Sequence, residues 1–463
     1  MQYQETNDEQ LETAVGSIGK HVLFITSHYP PEKAAAAVCV SETVKRLVKL
    51  GRQVTVLTTV PNYPTGIVPS EYRGRVIQNE IRDGVRVVRV WSYVGPNKGF
   101  LRRILAQLSF GCLAPFLGWK EVGRPDVIIV HSPLFNVIAG RTLAWLKRRP
   151  LIFMVADLWP ESAIQLGMLR NHVLIRLSEW LEWSTYQRAS LVWVVTEGIY
   201  NTLIKRGLSH EKILLLTNGV DTAKFRPLPK VQARAELGWD DRFTILYAGN
   251  HGMLYAMTTI LDAAELMQDH TDIHIVLVGD GVKKAELVAQ AQSRSLKNVT
   301  FLEPMPHDRI PLLLAASDAC LIPLRKLSLL EGTLPVKMFE AMACARPVLL
   351  AADGEARRAA EKEAGAAIYV EPENAKALLS AILYLYEHPE EAEQLGVRGR
   401  AYAEARFDYD QLTATLNSRL ELMLNKGVSI SGSTASHSVS VSQKAVPASL
   451  PKIPLSVEIT AEK

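Results

Sequence analysis

The amino-acid sequence predicts an α/β protein with two doubly wound, Rossmann-like parallel sheets that face each other across a cleft. Short β-branched runs alternate with helical patterns over nearly the whole chain, which is the order expected of open sheets covered by helices. Several runs, such as VIIVHS at 127–132 and IHIVLVGD at 273–280, are almost continuously apolar, as in strands buried on both faces. Thirteen such runs are too many for one sheet, so we expect two.

The candidate strands divide into a group of seven and a group of six. The first group is 21–27, 53–59, 85–92, 127–132, 151–157, 191–196 and 213–218, and the second is 243–250, 273–280, 299–303, 319–324, 347–352 and 367–370. Between the groups, NGVD is followed by RPLP at 218–229, and such clusters of turn residues mark loops. We therefore predict an N-terminal domain at 21–226 and a C-terminal domain at 227–407.

Both ends of the chain are predicted to lie outside the two domains. Residues 1–20 are polar and contain no apolar segment of the kind found in secretory signals, so this segment is expected to be disordered. Residues 428–463 contain nine serines and three prolines and are predicted to form a disordered tail. Leucines at helical spacing predict a helix at 408–427 that closes the fold.

Composition narrows the functional classes. The chain has 463 residues, of which 48% are hydrophobic, and a formal net charge of +4, which does not suit nucleic-acid binding. Its four cysteines are far apart without a CxxC pair, which argues against a disulfide framework or a zinc site and suits a reducing cytoplasm. The longest uncharged apolar run, 104–119, is shorter than the roughly 20 residues needed to span a bilayer.

That run also raises the question of membrane contact. Arg102 and Arg103 directly precede it, and the run is rich in Phe, Leu and Trp. A basic flank beside an amphipathic segment suits peripheral binding to an anionic membrane surface. A helix packed in the domain core with basic ends explains the same residues equally well.

The segment 331–347, EGTLPVKMFEAMACARP, contains the strongest candidate for ligand binding. It places Glu340 on a helix that is predicted to open at Leu334-Pro335. Free N–H groups at a helix start bind phosphates, and a carboxylate accepts hydrogen bonds from ribose hydroxyls. The alternative is an ordinary amphipathic helix with a solvated Glu340.

Further candidates for donor binding follow neighbouring strands of the second domain. Asn250 and Gly252 lie in the turn YAGNHG, and Gly279 lies in VGDG one strand later; glycines there would let backbone approach a ligand. Arg325 and Lys337 are cations that could neutralise a leaving diphosphate without a metal. Each cation could also be a surface charge.

Metal binding is poorly supported by the sequence. Asp408-Tyr-Asp410 has the DxD spacing of some metal-dependent nucleotide-sugar enzymes, but it opens the last predicted helix. Aspartate is a favoured N-cap residue, so we predict a cap and no metal.

The first domain presents a second group of candidates in DLWPES at 157–162. Asp157 and Glu161 follow a buried strand, where a carboxylate can orient a sugar hydroxyl or act as a general base. Trp159 in the same segment and His28 after the first strand are expected on the acceptor side. Simple helix capping by Asp and Ser is the alternative.

Seven motifs occur in an order typical of one family. They are HYPPE with PNYPTG (61–66), RPDVIIVHSP (124–133), DLWPES (157–162), TNGVDTAKF (217–225), YAGNHG (247–252), VGDG (278–281) and LPVKMFEAMACARPV (334–348). With these the chain resembles the retaining GT-B glycosyltransferases of family 4, in particular the subgroup that builds bacterial exopolysaccharide and O-antigen, including colanic-acid and fucosamine-transferase types. The resemblance covers 22–407 and implies a donor site in the second domain, an acceptor site in the first, and no metal.

The resemblance also assigns roles to single residues. Glu340 matches the glutamate that binds the ribose, Lys337 a subgroup lysine near the diphosphate, and Asn250 with Gly252 the loop beneath it. Asp157 lies next to Ala156, which occupies the position of the family's active-site histidine.

Three further positions depart from the family pattern. The family's first glutamate corresponds to Gly332, so Glu331 is one place out of register. The loop that is usually glycine-rich after the first strand is AAAA at 34–37, and Ala345 replaces a usual glycine.

Together these observations predict a metal-independent, cofactor-free hexosyl- or N-acetylaminosugar transferase. It would move sugar from a UDP- or GDP-sugar to a lipid-linked saccharide, retaining configuration, in the cytoplasm or at the inner face of the plasma membrane. A nucleotide-sugar 2-epimerase on the same fold is one alternative. A non-catalytic scaffold is the other, and the AAAA loop and the displaced Glu331 favour it.

Overall fold

A computed structural model describes residues 20–32, 34–63, 66–95, 100–165 and 167–426. The segments predicted to be disordered, 1–20 except Lys20 and 428–463, lie outside the described residues. Within the described part, two parallel-sheet domains are present, and the predicted α/β architecture is confirmed.

The first sheet has eight strands in the order β3-β4-β2-β1-β5-β6-β7-β8. Its strands are β1 (Val22–Ile25), β2 (Val54–Thr59), β3 (Ile77–Arg82), β4 (Val85–Val90), β5 (Val127–His131), β6 (Leu151–Val155), β7 (Leu191–Val194) and β8 (Ile213–Leu215). The helices that connect them are α1 (Ala35–Lys49), α2 (Phe100–Leu117), α3 (Asn136–Lys147), α4 (Glu161–Gln165), α5 (His172–Arg188) and α6 (Glu197–Lys205). All pairings are parallel except that of β3 with β4.

The second sheet has six parallel strands in the order β11-β10-β9-β12-β13-β14. Its strands are β9 (Phe243–Ala248), β10 (Ile273–Val278), β11 (Val299–Leu302), β12 (Ala319–Pro323), β13 (Val348–Ala351) and β14 (Ala367–Tyr369). Its helices are α7 (Lys230–Leu237), α8 (Met257–Leu266), α9 (Lys284–Ser293), α10 (Ile310–Ala316), α11 (Val336–Ala343), α12 (Glu355–Arg357), α13 (Ala375–Glu387) and α14 (Pro389–Arg406).

The strand order reverses once in each sheet, between β1 and β5 in the first and between β9 and β12 in the second. Ligands of doubly wound sheets bind at the carboxyl ends of the strands beside such a reversal. The residues that follow these strands are therefore where a site is expected.

The last helix, α15 (Tyr409–Lys426), returns to the first domain. Leu416 and Leu420 are fully buried in the core of the first sheet, and Arg52 beside α1 hydrogen-bonds Asn417 over 2.7 Å. This helix thus ties the end of the second domain to the first.

The aspartates at the start of α15 serve structure. Asp408 Oδ1 accepts hydrogen bonds from the backbone N–H groups of Asp410 and Gln411, at 2.9 and 3.2 Å, which is an N-cap. Asp410 in turn binds the Arg46 guanidinium at 2.6 Å. The DxD spacing therefore forms the predicted cap.

The helix predicted from the apolar run is α2, which has one buried and one exposed face. Phe110 and Ala114 pack in the core of the first sheet, whereas Leu101, Leu105 and Phe116 are exposed by 69, 47 and 72%. Within the described ranges no helix is both long and apolar enough to cross a membrane.

Candidate functional site

One cleft of about 1430 Å³ runs between the carboxyl edges of the two sheets. Its first wall comes from the segments after β1, β6 and β7, and its second wall from those after β9, β10 and β11 together with 328–340. The predicted cleft between the domains is therefore present, with side chains from both domains facing it.

Helix α11 brings the strongest candidate into the cleft. Met338, Phe339 and Met342 are buried in the second domain, so the opposite face of the helix points Lys337 and Glu340 at the cleft. Pro335 is the N-cap residue and no side chain caps the first turn. The Met338 N–H donates to the Pro335 carbonyl oxygen over 3.0 Å, which leaves the N–H groups of Val336 and Lys337 at the helix start for an anion.

Glu340 has a partner that was not predicted from the sequence. Its Oε1 lies 2.7 Å from Nε2 of His307, and only 13% of the Glu340 side chain is exposed. His307 begins the turn that follows β11, and its ring packs against Phe225 with the centroids 5.2 Å apart. A histidine after a strand of a parallel sheet was the available signal.

Lys337 is enclosed by two tyrosines. Its Nζ lies 3.1 Å from the Tyr247 hydroxyl and 4.3 and 4.2 Å from the ring centroids of Tyr247 and Tyr255. Burial lowers the pKa of Lys337 to about 7, and the nearby Glu340 carboxylate opposes this shift. Among the described residues no carboxylate forms an ion pair with it.

Two glycines make room for this lysine. A Cβ on Gly249 would lie 2.3 Å from Lys337 Nζ, and a Cβ on Gly279 would lie 1.9 Å from the carbonyl oxygen of Gly249. Both have positive φ, 154° and 140°, which favours glycine. Asn250 faces the cleft, while Gly252 is buried behind the Asn250 side chain.

The structure separates the remaining donor-side candidates from Lys337. Arg325 does not line the cleft, and its Nε binds Glu373 Oε1 at 3.1 Å. The Glu331 side chain is exposed outside the cleft, and Gly332 lines the wall instead. Arg325 and Glu331 follow the same strand as Lys337 and Glu340, but their side chains leave the segment in other directions.

On the first wall, Asp157 follows β6 and faces the cleft. Its Oδ2 accepts a hydrogen bond from the Ser162 hydroxyl over 2.8 Å, and partial burial raises its pKa. Glu161 also lines the cleft, but its carboxylate is held by Arg206, which also lies 3.4 Å from Glu182. The two carboxylates predicted from DLWPES thus differ in their ion pairing. Glu161 is paired with Arg206, whereas Asp157 has no cationic partner among the described residues.

His28 and Trp159 do not line the cleft. His28 Nδ1 lies 2.7 Å from Glu32 Oε2, and Trp159 packs edge-on against Phe135 with centroids 5.1 Å apart. Glu32 lines the cleft and accepts backbone hydrogen bonds from Asn62 and Tyr63 at 2.8 and 2.9 Å. Its place in HYPPE was the only sequence signal for it.

The two walls also touch directly. The Glu355 carboxylate, in the second domain, accepts hydrogen bonds from the N–H groups of Glu197 and Gly198 at the start of α6, each over 2.9 Å. Burial raises the pKa of Glu355. Arg358 binds Glu197 at 2.7 Å, and a Cβ on Gly198 would lie 2.9 Å from the Cα of Gly332. Sequence reasoning did not identify this contact.

Possible metal ligands are dispersed. Over the part of the chain that the structure describes, no group of three His, Cys, Asp or Glu side chains is arranged to hold an ion.

Two family models match the chain. A "Glycosyl transferase 4-like domain" matches residues 34–219, and "Glycosyl transferases group 1" matches residues 230–402. Together they cover most of both domains, including every residue described above for the second wall.

Among curated proteins, the chain is similar to a putative colanic acid biosynthesis glycosyl transferase, WcaI, of Escherichia coli K12. The two are 27% identical over 405 residues, which are 84% of this chain and 97% of the relative. This chain is also 27% identical over 308 residues to D-rhamnosyltransferase WbpZ of Pseudomonas aeruginosa. The match covers 65% of this chain and 74% of WbpZ.

Solved structures share the fold. HepE of Anabaena, crystallised in complex with UDP and glucose, superposes with a TM-score of 0.66 at 21% identity, covering 86% of this chain and 99% of HepE. WaaG, a glycosyltransferase involved in lipopolysaccharide biosynthesis, superposes with a TM-score of 0.61 at 15% identity, with coverages of 86% and 99%. Given the two matching glycosyltransferase models, the relative matched over nearly its whole length and the shared two-domain architecture, the chain belongs to the GT-B glycosyltransferases of family 4.

Proposed function

We propose that this glycosyltransferase moves a sugar from a UDP- or GDP-linked donor to a lipid-linked saccharide, with retention of configuration, in bacterial polysaccharide biosynthesis. One observation carries the proposal: Lys337, which has no ion-pair partner among the described residues, and Glu340 both lie on α11 and line the same cleft as Asp157. The UDP and glucose bound by HepE support a nucleotide-sugar donor, and the similarity to WcaI, a putative colanic acid biosynthesis glycosyl transferase, supports polysaccharide as the product class.

On the donor side, the proposal assigns complementary charges to a nucleoside diphosphate. Lys337 and the uncapped first turn of α11 provide positive potential for the diphosphate. Glu340, one turn further along, accepts hydrogen bonds from the ribose hydroxyls. The lysine and the helix dipole then stabilise the leaving diphosphate, so the proposed reaction uses no metal and no cofactor.

On the acceptor side, Asp157 orients the attacking hydroxyl. The acceptor oxygen forms a bond to the anomeric carbon on the face from which the diphosphate oxygen departs. The hydroxyl proton passes to that diphosphate oxygen, which becomes more basic as its bond to carbon breaks. The Ser162 hydroxyl holds Asp157 in place for this role. In this proposal Asp157 compensates for the missing histidine side chain, whose family position is occupied by Ala156. Glu161, neutralised by Arg206, shapes the acceptor wall.

The exposed face of α2 supports the lipid-linked acceptor and a location at the inner face of the plasma membrane. Arg102 and Arg103 are exposed beside Leu101 and Leu105 on this helix. Exposed apolar side chains flanked by arginine suit shallow insertion among anionic headgroups. Such contact would bring the cleft to a substrate that is confined to the membrane.

Binding and turnover of three proteins test the proposal. The native chain is screened by thermal shift against UDP, GDP and their common sugars, and we expect stabilisation by one nucleotide class. Glu340→Ala should lose most of that stabilisation, whereas Asp157→Asn should keep it and lose most sugar transfer, by about a hundredfold or more. Near-normal transfer by Asp157→Asn would remove this residue from the mechanism.

The same screen separates the alternatives. An isomerised donor formed without any acceptor would indicate a 2-epimerase. Failure of the native chain to bind any UDP or GDP compound would indicate a non-catalytic scaffold.

A further inference from the structure

The contact between His307 and Glu340 joins two parts of the second domain that are distant in sequence. His307 follows β11 and lines the cleft, whereas Glu340 lies on α11. Their Nε2 and Oε1 atoms are 2.7 Å apart, and within the described residues this is the side-chain hydrogen bond that Glu340 makes. Phe225 packs against the imidazole ring from the segment that joins the domains.

The chemistry of the pair defines the direction of the hydrogen bond. An ionised carboxylate can only accept, so Nε2 of His307 carries the hydrogen and donates it to Oε1. With 13% of its side chain exposed, Glu340 has little water to orient it. One donor on Oε1 leaves Oε2 to accept from hydroxyl groups of a ligand in the cleft that Glu340 lines.

We propose that His307 is a positioning residue for the nucleotide: it holds the Glu340 carboxylate in the orientation that receives the two ribose hydroxyls. This inference rests on the proposed function, since it assigns Glu340 to the ribose. Phe225 limits the rotation of the imidazole, so the geometry of the carboxylate is set before the ligand arrives. Preorganisation of this kind strengthens binding because less ordering is needed in the complex.

A double-mutant cycle on nucleotide affinity tests the proposal. The dissociation constants of UDP and GDP are measured by calorimetry for the native chain, His307→Ala, Glu340→Ala and the double variant. We expect His307→Ala to raise the dissociation constant of the nucleotide about tenfold, in line with loss of a hydrogen bond to a charged group. In the Glu340→Ala background the same change should have no further effect, because the two residues act as one unit.

Two other variants serve as rescue and control. His307→Gln retains an N–H donor and should recover affinity to within about threefold of native. His388→Ala should leave affinity unchanged, since His388 contacts Tyr384 outside the cleft. Thermal unfolding of each variant identifies any that fail to fold.

The possible failures are distinguishable. If His307→Ala weakened nucleotide affinity equally with Glu340 present and with Glu340 replaced by Ala, the positioning role alone would be overturned. The same holds if Glu340→Ala weakened affinity and His307→Ala had no effect. Absence of UDP and GDP binding to the native chain would overturn the proposed function and this inference with it.

Discussion

Lys337 is a cation held in a place where water cannot fully solvate it. Burial between Tyr247 and Tyr255 lowers its pKa to about 7, so near neutral pH part of the population is uncharged. A bound diphosphate would favour the charged form and raise this pKa. Nucleotide binding should therefore be linked to uptake of a proton by Lys337.

The sign of the resulting pH dependence follows from that linkage. Above pH 7 the free protein loses the Lys337 proton while the complex keeps it, so nucleotide affinity should fall as pH rises from 7.5 to 9. The limit for one proton is about tenfold per pH unit, and the phosphate charge is nearly constant in this range. Calorimetry in buffers of different ionisation enthalpy would measure the proton uptake directly.

Lys337→Met should weaken binding and remove the dependence on pH. Lys283→Met is the matched control, because Lys283 is exposed and paired with Glu286 at 2.6 Å, and it should retain the native slope. If nucleotide affinity in Lys337→Met fell with pH as steeply as in the native chain, the titrating group would be a residue other than Lys337.

Sequence patterns identified the edge of the sheet at which the site residues lie, but not the direction of their side chains. Lys337 and Glu340 face the cleft, whereas Arg325, a few residues after β12, pairs with Glu373 on the surface. The direction depends on contacts with distant segments, which no local pattern encodes. His307, 33 residues from its partner Glu340, was missed for the same reason.

At the scale of single elements, α2 is a helix with one buried and one exposed face. Its buried face completes the core of the first domain, and the exposed face carries Leu101, Leu105 and Phe116. We expect the protein to bind vesicles that contain an anionic phospholipid. Replacement of both Leu101 and Leu105 by Glu should weaken this binding at least tenfold, because apolar contact is lost and negative charge is added.

Cosedimentation with anionic and with zwitterionic vesicles measures the effect. Leu422→Glu is the control, since Leu422 is an exposed leucine on α15, and it should bind like the native chain. Unchanged binding of the Leu101/Leu105 variant, or equal binding to both kinds of vesicle, would contradict membrane contact through α2.

Strands were the elements most readily predicted, and the exception has a physical cause. All thirteen predicted strands are present, and most of them are buried strands, which read as apolar runs. β3 was missed: it lies at the edge of the sheet, and its residues alternate between exposed and partly buried. Asp83 and Gly84, both with positive φ, form the tight turn into β4, and this Asp-Gly pair was the available hairpin signal.

At the scale of the whole molecule, the two domains meet at a contact whose geometry depends on glycine. Glu355 binds the first N–H groups of α6, and the Cα atoms of Gly198 and Gly332 face each other beside it. Because this contact joins opposite walls of the cleft, opening the cleft at this point must break it. It therefore belongs to a closed arrangement of the domains.

Gly198→Ala should disfavour that arrangement. The added Cβ would lie 2.9 Å from the Cα of Gly332, whereas a Cβ added to Gly332 would lie 3.5 Å from the Cα of Gly198, which is an ordinary contact. Backbone cannot yield as a flexible side chain can, so the first substitution should separate the walls and the second should not. Small-angle scattering should give a larger radius of gyration for Gly198→Ala and the native value for Gly332→Ala.

Sugar transfer by Gly198→Ala should fall about tenfold at saturating donor, because donor and acceptor must be held together for reaction. Native scattering and native transfer by Gly198→Ala would mean that catalysis does not need this contact.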